Sequence, residues 1–376
     1  MNTCDFLVIG AGIAGASAAY ELAVHGRVIL LERERLPGYH STGRSAAVFT
    51  ENYGNAIIRR LTVASRPFLE NPPAEFTTSP LLSPRQMLWI AREDQQPTLA
   101  TTLTEAQKFV PSIQAVDRTE AKRLCPSLRD DYLAAAILEP EATDMDVHAI
   151  HQGFLSGFRH RKGKLENEAE VIRLARSGSG WKVQTTKGQF NSGVVVNAAG
   201  AWCDAVGKIA GARPIGLTPK RRTAFIFDGP TECDFSSWPV VIDIDEQFYF
   251  KPESGRILAS PADETPMSPC DVYPEEYDIA LAADRIQKAS TLSIRHIRRK
   301  WAGLRSFVAD KTPVVGRDPF LPGFFWLAGQ GGYGIMTSPA VARAAASLIV
   351  EGCLPKDLAA AGLTPEDLSP ERLQST

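Results

Sequence analysis

The stretch "DFLVIGAGIAGASAAYELAV", residues 5–24, decides the fold of this chain. It opens with "FLVIG" (6–10), a short apolar run rich in β-formers, as expected of a strand buried on both faces. "GAGIAG" sets Gly10, Gly12 and Gly15 in the G-x-G-x-x-G spacing. Ile13 and Ala14 begin a segment of helical composition, which predicts a helix running to a C-cap at Gly26. "RVILLER" follows as a second apolar strand and delivers Glu32 about 20 residues after the glycines, with Arg33 beside it. Gly10 permits the tight turn, Gly12 lets the backbone approach a pyrophosphate, and Gly15 lets helix and sheet pack closely. The helix start offers free N–H groups and a positive dipole end to phosphates. Glu32 suits ribose hydroxyls and repels a 2′-phosphate, so FAD or NAD is expected here and NADP is not. Asp5 and Glu21 bracket a run too short and too glycine-rich to span a bilayer, and no basic cluster precedes it. The expectation is a cytoplasmic protein without an integral membrane segment.

The rest of the composition is that of an ordinary globular protein. The 376 residues are 44% hydrophobic and 22% charged, enough for two domains or for one with a large insertion. A formal net charge of −2 gives no general attraction to nucleic acid or anionic lipid. Cys4, Cys125, Cys203, Cys233, Cys270 and Cys353 form no Cys-x-x-Cys pair, so buried, reduced thiols are expected in place of a disulfide framework or a zinc site.

Downstream, "LPGYHSTGRSAAVFTENYG" (36–54) is a polar loop whose Ser41, Thr42, Arg44 and Ser45 are placed to hydrogen-bond a cofactor. "PRQMLWIA" reads as a strand, and 104–125 as charged helix. Asp144, Asp146, His148 and His151 invite a metal reading. An N-cap at Asp146, followed by the stripe Val147, Ile150, Phe154, Leu155 and Phe158, explains them as an amphipathic helix, and no metal is expected. A hairpin is predicted around Gly188, then a buried strand "VVVNAAG". From 217 to 260 β-type runs separated by Gly and Pro predict a mostly antiparallel sheet, and 278–292 reads as a helix. The C-terminal part holds an apolar strand, a glycine-rich turn, and a helix starting near Thr337 with Pro339 in its first turn. Because the α/β signature stands at the start, middle and end, two interleaved domains are expected.

Four segments, "VIGAGIAGAS…LLER", "STGRSAA", "VVNAAGAWCD" and "GLRSFVADKTPVVG…GGYGIMTSPA", resemble the D-amino acid oxidase superfamily of FAD enzymes, in order across nearly the whole chain. Within it, "GYHSTGRSAA", "PLLSPR", "PKRR", "FYFKP" and "GLRSFVAD" are most similar to the bacterial FAD-dependent D-arginine dehydrogenases. The resemblance implies an α/β fold of the D-amino acid oxidase and glutathione-reductase type. Its Rossmann-type FAD-binding domain (1–48, 138–215 and 310–376) is interleaved with a mainly antiparallel substrate-binding domain (49–137 and 216–309). It implies noncovalent FAD, since no flavin-linking cysteine or histidine is found around "SFVADKTP". It further implies oxidative deamination of a D-amino acid by hydride transfer from Cα to flavin N5. The imino acid formed hydrolyses to a 2-oxo acid and ammonia. The electrons pass on to a quinone, another acceptor or oxygen.

The same resemblance assigns cofactor contacts beyond the cradle. They are Ala46 and Ala47 in the loop, Val171, then Ala199, Gly200 and Trp202, then Gly303 with Arg305. The last group is the turn Gly331, Gly332, Tyr333, Gly334, Ile335, Met336 and Thr337, where the helix N-terminus stabilises negative charge on reduced flavin. A substrate carboxylate calls for a guanidinium fork. Arg305 in "GLRSF" matches the family's carboxylate arginine and Arg222 in "KRRTAF" is the second, with Arg221 expected on the opposite face of a strand. Tyr249 and Tyr53 match the group's substrate-contacting tyrosines, and Thr50 and Gly332 its substrate contacts. Gln86, Val48 and Met336 stand where D-arginine dehydrogenases carry glutamate, histidine and glutamine. The pocket is thereby less charged, and an apolar or broad side-chain preference is expected. No general base is evident; His40 is expected to bond to backbone or flavin, and no serine sits in a G-x-S-x-G elbow. D-arginine dehydrogenase proper, a glycine/sarcosine-type amine oxidase and a flavin-carrying subunit of a larger complex remain as alternatives.

Overall fold

The computed structural model describes residues 2–373. Met1 and residues 374–376, which the sequence assigns to the cofactor-binding part, lie outside them. Among the described residues no helix is long and apolar enough to cross a membrane.

An eight-stranded sheet is built around β1 (Thr3–Ile9). β1 runs parallel to β2 (Val28–Leu31) on one side and to the strand Gly188–Asn197 on the other. The strand Lys164–Glu166 extends the sheet beyond β2, and Phe324–Ala328 pairs in parallel with the far end of 188–197. Between β1 and β2 lies α1 (Ile13–Leu22), whose Ala16, Ala18 and Ala19 are fully buried. The helices Val147–His160 and Ser338–Val350 pack against it. Small side chains all round let α1 sit close to strands and helices alike. Because β1 has neighbours on both sides with crossovers leaving in opposite directions, its carboxyl end forms the crevice where such sheets bind ligands.

A nine-stranded sheet, antiparallel except where Val240–Asp243 runs beside Met87–Ala91, carries the second layer. Its longest pairing joins Thr218–Phe227 to Ile297–Phe307, setting Arg222 opposite Gly303 and Lys220 opposite Arg305. Residues directly opposite share a face, so Arg222 and Arg305 are diagonal neighbours, with the bare Gly303 between them. A small third sheet joins Val48–Phe49, Thr143–Met145 and Leu82–Pro84.

Several expectations need correction. α1 stops at Leu22 with Ala23 as its C-cap, not at Gly26. Residues 23–26 turn so that the Arg27 N–H meets the Asp5 carboxylate at 2.7 Å and β2 can begin. The 104–125 segment is two helices, Gln96–Gln107 and Arg118–Leu124, separated by the strand Gln114–Val116. Pro111 cannot continue a helix, and Asp117 caps a new one by accepting the Glu120 N–H. Of the cysteines only Cys4, Cys125 and Cys203 are buried, while Cys233 and Cys353 are exposed.

Candidate active site

Gly10 ends β1 at φ +99°, a conformation that L side chains avoid. This turn aims the next amides at the crevice. The Glu32 carboxylate, pinned at the end of β2, accepts the Ala11 N–H at 2.9 Å with one oxygen and the Glu34 N–H at 2.9 Å with the other. Thr42 Oγ1 accepts the Ile13 N–H at 3.0 Å and fastens the 36–54 loop over the helix start. Below, His151 Nε2 donates to the Ala11 carbonyl at 2.9 Å. Burial first, against that bond, lowers the His151 pKa, so it stays neutral and structural. His40 lines the cavity, and its Nε2 meets the Glu34 carboxylate at 2.9 Å in place of a backbone group, while its ring lies against Trp202.

From this cradle a cavity of about 280 Å³ runs to the second sheet. At one end it is lined by Gly10, Gly12, Ile13, Ala14, Glu32 and Arg33. Its flank holds Ser41, Thr42, Arg44, Ser45, Ala46, Val171, Ala199, Gly200 and Trp202. At the other end stand Arg222, Tyr249, Gly303, Arg305, Gly331, Gly332, Gly334 and Ile335.

Some residues assigned by sequence are turned elsewhere. Gly15 lies one turn into α1, where a Cβ would overlap the Gly10 carbonyl oxygen. Ala47 does not line the cavity either; it packs against the core beneath the loop. Tyr333, Met336 and Thr337 point into the core, Thr337 bonding back to the Tyr333 carbonyl at 2.9 Å. Arg44 reaches the cavity wall, but its guanidinium donates to the Val272 and Ala302 carbonyls and pairs with Asp271. It ties the loop to the second sheet. Val48, Thr50 and Gln86 also lie outside the cavity wall: Val48 packs beside Met87 and Trp89, and Thr50 bonds to Glu139.

The far end holds two guanidiniums, one of them short of partners. Arg305 makes no ion pair among the described residues, and its one hydrogen bond runs to the Tyr53 hydroxyl at 3.4 Å. Arg222 donates to the Asp263 carbonyl at 2.9 Å and reaches Glu264 at 3.3 Å. Burial, and then the like charge of Arg305, hold the Arg222 pKa below its usual value. Tyr53 does not line the cavity but stands behind Arg305, and burial raises its pKa so that it stays a phenol. Gly332 touches the guanidinium from the other side: a Cβ there would lie 2.8 Å from an Arg305 nitrogen. Arg221 faces away, as its strand parity requires, into Asp263, Glu275 and Asp278.

Two lining residues were given no role by the motifs: Ser306, inside "GLRSF", and Gln330, whose Oγ and Nε2 are buried without a hydrogen-bond partner among the described residues. Unpaired buried polar atoms are costly, and here they mark where a polar ligand would complete the bonding. With the Gly10 turn, the helix N-terminus and Glu32, they fit a flavin dinucleotide laid along the cavity.

Sequence reading also missed Glu139, which is 2% exposed and receives the Thr50 hydroxyl at 2.8 and 2.9 Å from its two oxygens. Burial first, with help from the Glu51 charge, pushes its pKa from 4.5 up to about 7 against the Thr50 bond. A folded-state pKa raised in this way means stability that is complete below about pH 4.5 and is lost as pH rises towards 7. Glu139→Gln is therefore expected to gain on the parent between pH 4.5 and 8, by on the order of 3 kcal/mol. Thermal melts of both proteins across that range check it, and a constant gap would sink the assignment.

Comparison with known proteins agrees with this geometry. The family described as FAD dependent oxidoreductase, DAO, matches residues 5–348. An uncharacterized oxidoreductase, YurR, of Bacillus subtilis is 25% identical, with 92% of this chain and 95% of that protein covered. A glycine oxidase of Geobacillus kaustophilus is 24% identical, with 96% of each covered. The crystal structure of L-proline dehydrogenase from P. horikoshii superposes with a TM-score of 0.85 at 24% identity, covering 99% of this chain and 98% of that one.

Proposed function

Because this chain belongs to the DAO family of FAD-dependent oxidoreductases, we propose that it oxidises the amine of a small amino acid whose carboxylate is clamped by Arg305. The observation that carries this reading is the Arg305 guanidinium itself: it lines the cavity and, among the described residues, is paired with no carboxylate. A buried cation without a partner is costly, and a planar anion with two oxygens answers its fork. Gly10, Gly12, Glu32 and the Ile13 helix start would hold the dinucleotide end of FAD, and Ser306 and Gln330 would meet its polar edges. When bound, FAD supplies the two-electron acceptor. The protein's part is to hold and orient: Arg305 and Arg222 fix the carboxylate, and Tyr53 keeps Arg305 in place. Tyr249 forms a wall beside the substrate. The amine proton leaves to water, and the imine formed from the Cα–N bond hydrolyses outside the chemistry that the residues perform.

Within this reading a D-amino acid with an apolar side chain is the first choice. Arg222 is already occupied by Glu264, and no acidic side chain lines the cavity beside Arg305 to receive a cationic substrate. Glycine or an N-methylglycine is the second, favoured by a specific observation: Val48, Thr50, Gln86 and Met336, where a longer side chain would end, do not line the cavity. Anaerobic mixing with D- and L-leucine, D-methionine, D-arginine, glycine and sarcosine, followed by loss of flavin absorbance, tests both. D-Leucine or D-methionine reacting faster than D-arginine is expected. Glycine or sarcosine reacting fastest transfers the assignment to the second reading, and no reaction with any of them overturns both.

A further inference from the structure

We propose that Glu139 is a positioning residue of the carboxylate clamp, holding the Thr50–Tyr53 turn through the Thr50 hydroxyl so that Tyr53 meets Arg305. This rests on the reading of Arg305 as the carboxylate anchor. The geometry of the turn carries it. Residues 50–53 leave the short strand Val48–Phe49 and end in the helix Ala56–Glu70, which Asn55 caps by accepting the Ile58 N–H at 3.1 Å. Between those two fixed points the turn is tied down at Thr50, whose Oγ1 also accepts the Asn52 N–H at 3.2 Å, at Glu51, paired with Arg66, and at the Gly54 carbonyl, which accepts from Arg59 at 3.0 Å. One residue later Tyr53 makes the single hydrogen bond of Arg305. Glu139 itself is held rigidly, because it ends a strand paired to Met87 in the interior of the second sheet.

Proton counting decides which state does the holding. Thr50 has one hydroxyl proton, yet it lies at 2.8 and 2.9 Å from both Glu139 oxygens while also accepting from Asn52. With Glu139 neutral, its own proton goes to Thr50 Oγ1 and the Thr50 proton returns to the other oxygen, so both contacts are hydrogen bonds. With Glu139 ionised, the Thr50 hydroxyl still donates to one oxygen and that bond favours the charge, but the second contact has no proton and the carboxylate faces Glu51. The charged groups around it are Glu51 from the turn, and Arg66 and Arg59 from the helix Ala56–Glu70. Arg66 is already paired with Glu51 at 2.5 Å and Glu70 at 3.1 Å, and the Arg59 Nε donates to the Gly54 carbonyl at 3.0 Å. From its own sheet Met87 is the residue directly opposite and adds no charge. Among the described residues neither arginine forms an ion pair with Glu139, so ionisation gives up the second Thr50 contact without a counter-ion at hand and loosens the turn.

The test is the binding of acetate, a carboxylate without an amine, to the FAD-loaded protein, read from perturbation of the flavin spectrum between pH 5.5 and 8.5. In the parent, affinity is expected to fall by about fivefold or more across this range, the low end of ordinary coupling between sites. In Glu139→Gln, which keeps the shape and cannot ionise, affinity should stay at the low-pH value throughout. Glu139→Leu should bind weakly at every pH while keeping its flavin. The same pH slope in Glu139→Gln as in the parent overturns the proposal, whether or not the leucine variant folds. Arg305→Met separates the two layers: acetate binding unchanged in that variant defeats the reading of the site. Binding lost there, with an unaltered slope in Glu139→Gln, defeats only the role of Glu139.

Discussion

Arg305→Met is expected to lower kcat/KM for the amino acid substrate by at least about thirtyfold while leaving flavin content unchanged. Truncating one partner of a buried, hydrogen-bonded charge pair costs about 2–5 kcal/mol, and each 1.4 kcal/mol is a factor of ten. The substitution removes the fork that answers the substrate carboxylate and leaves that carboxylate beside Arg222 alone, which is already engaged with Asp263 and Glu264. Methionine fills much of the same volume against Gly332, so the wall of the cavity persists. The dinucleotide cradle around Gly10 and Glu32 belongs to the other sheet and is untouched. Steady-state kinetics with flavin quantified after denaturation checks it. Loss of flavin with normal kinetics in the residual holoenzyme would make Arg305 a cofactor residue instead.

Gly12 and Gly15 should fail in different ways, although the motif treats them alike. At Gly12 the backbone is extended, φ −72° and ψ −175°, and an added Cβ meets only Thr42 Oγ1 at 3.2 Å. Gly12→Val is expected to give folded, colourless protein, because the side chain stands where phosphates approach. At Gly15 a Cβ would overlap the Gly10 carbonyl, a backbone atom that cannot swing aside. Gly15→Val must push α1 off β1, at a cost of about 3 kcal/mol or more out of a total stability of about 5–15 kcal/mol. The expected result is insoluble or strongly destabilised protein with or without FAD. Far-UV circular dichroism and flavin absorbance on both variants decide it. Full flavin occupancy in Gly12→Val would mean that the phosphates do not pass over residue 12.

These two predictions also separate what each level of description could reveal. The cradle was readable from 28 consecutive residues because its physics is local: a strand, a turn that needs Gly10, a helix start and an acid at the end of the next strand. Hydrophobic patterning likewise placed the second sheet and the C-terminal strand and helix. Its errors came where the chain broke a helix that composition favoured, at the 23–26 turn and at Pro111, the strand Gln114–Val116 and the Asp117 cap. The family motif named Arg305, Arg222, Tyr249 and Tyr53, but could not say which of them lie at the cavity wall.

Register decided that. Arg222 and Arg305 meet because strands more than seventy residues apart pair with Lys220 opposite Arg305, and a slip of one residue would have put the two arginines on opposite faces of the sheet. The same holds for the polar atoms to which no motif gave a role. Nothing in "AAILEP" marks Glu139 as a buried acid, and nothing around Ser306 or Gln330 marks an unpaired donor or acceptor. The sequence by itself determined the dinucleotide cradle and the two kinds of sheet, since both follow from residues near one another in the chain. Only the tertiary structure decided which charges are left without partners, because burial and pairing are properties of segments brought together from across the fold.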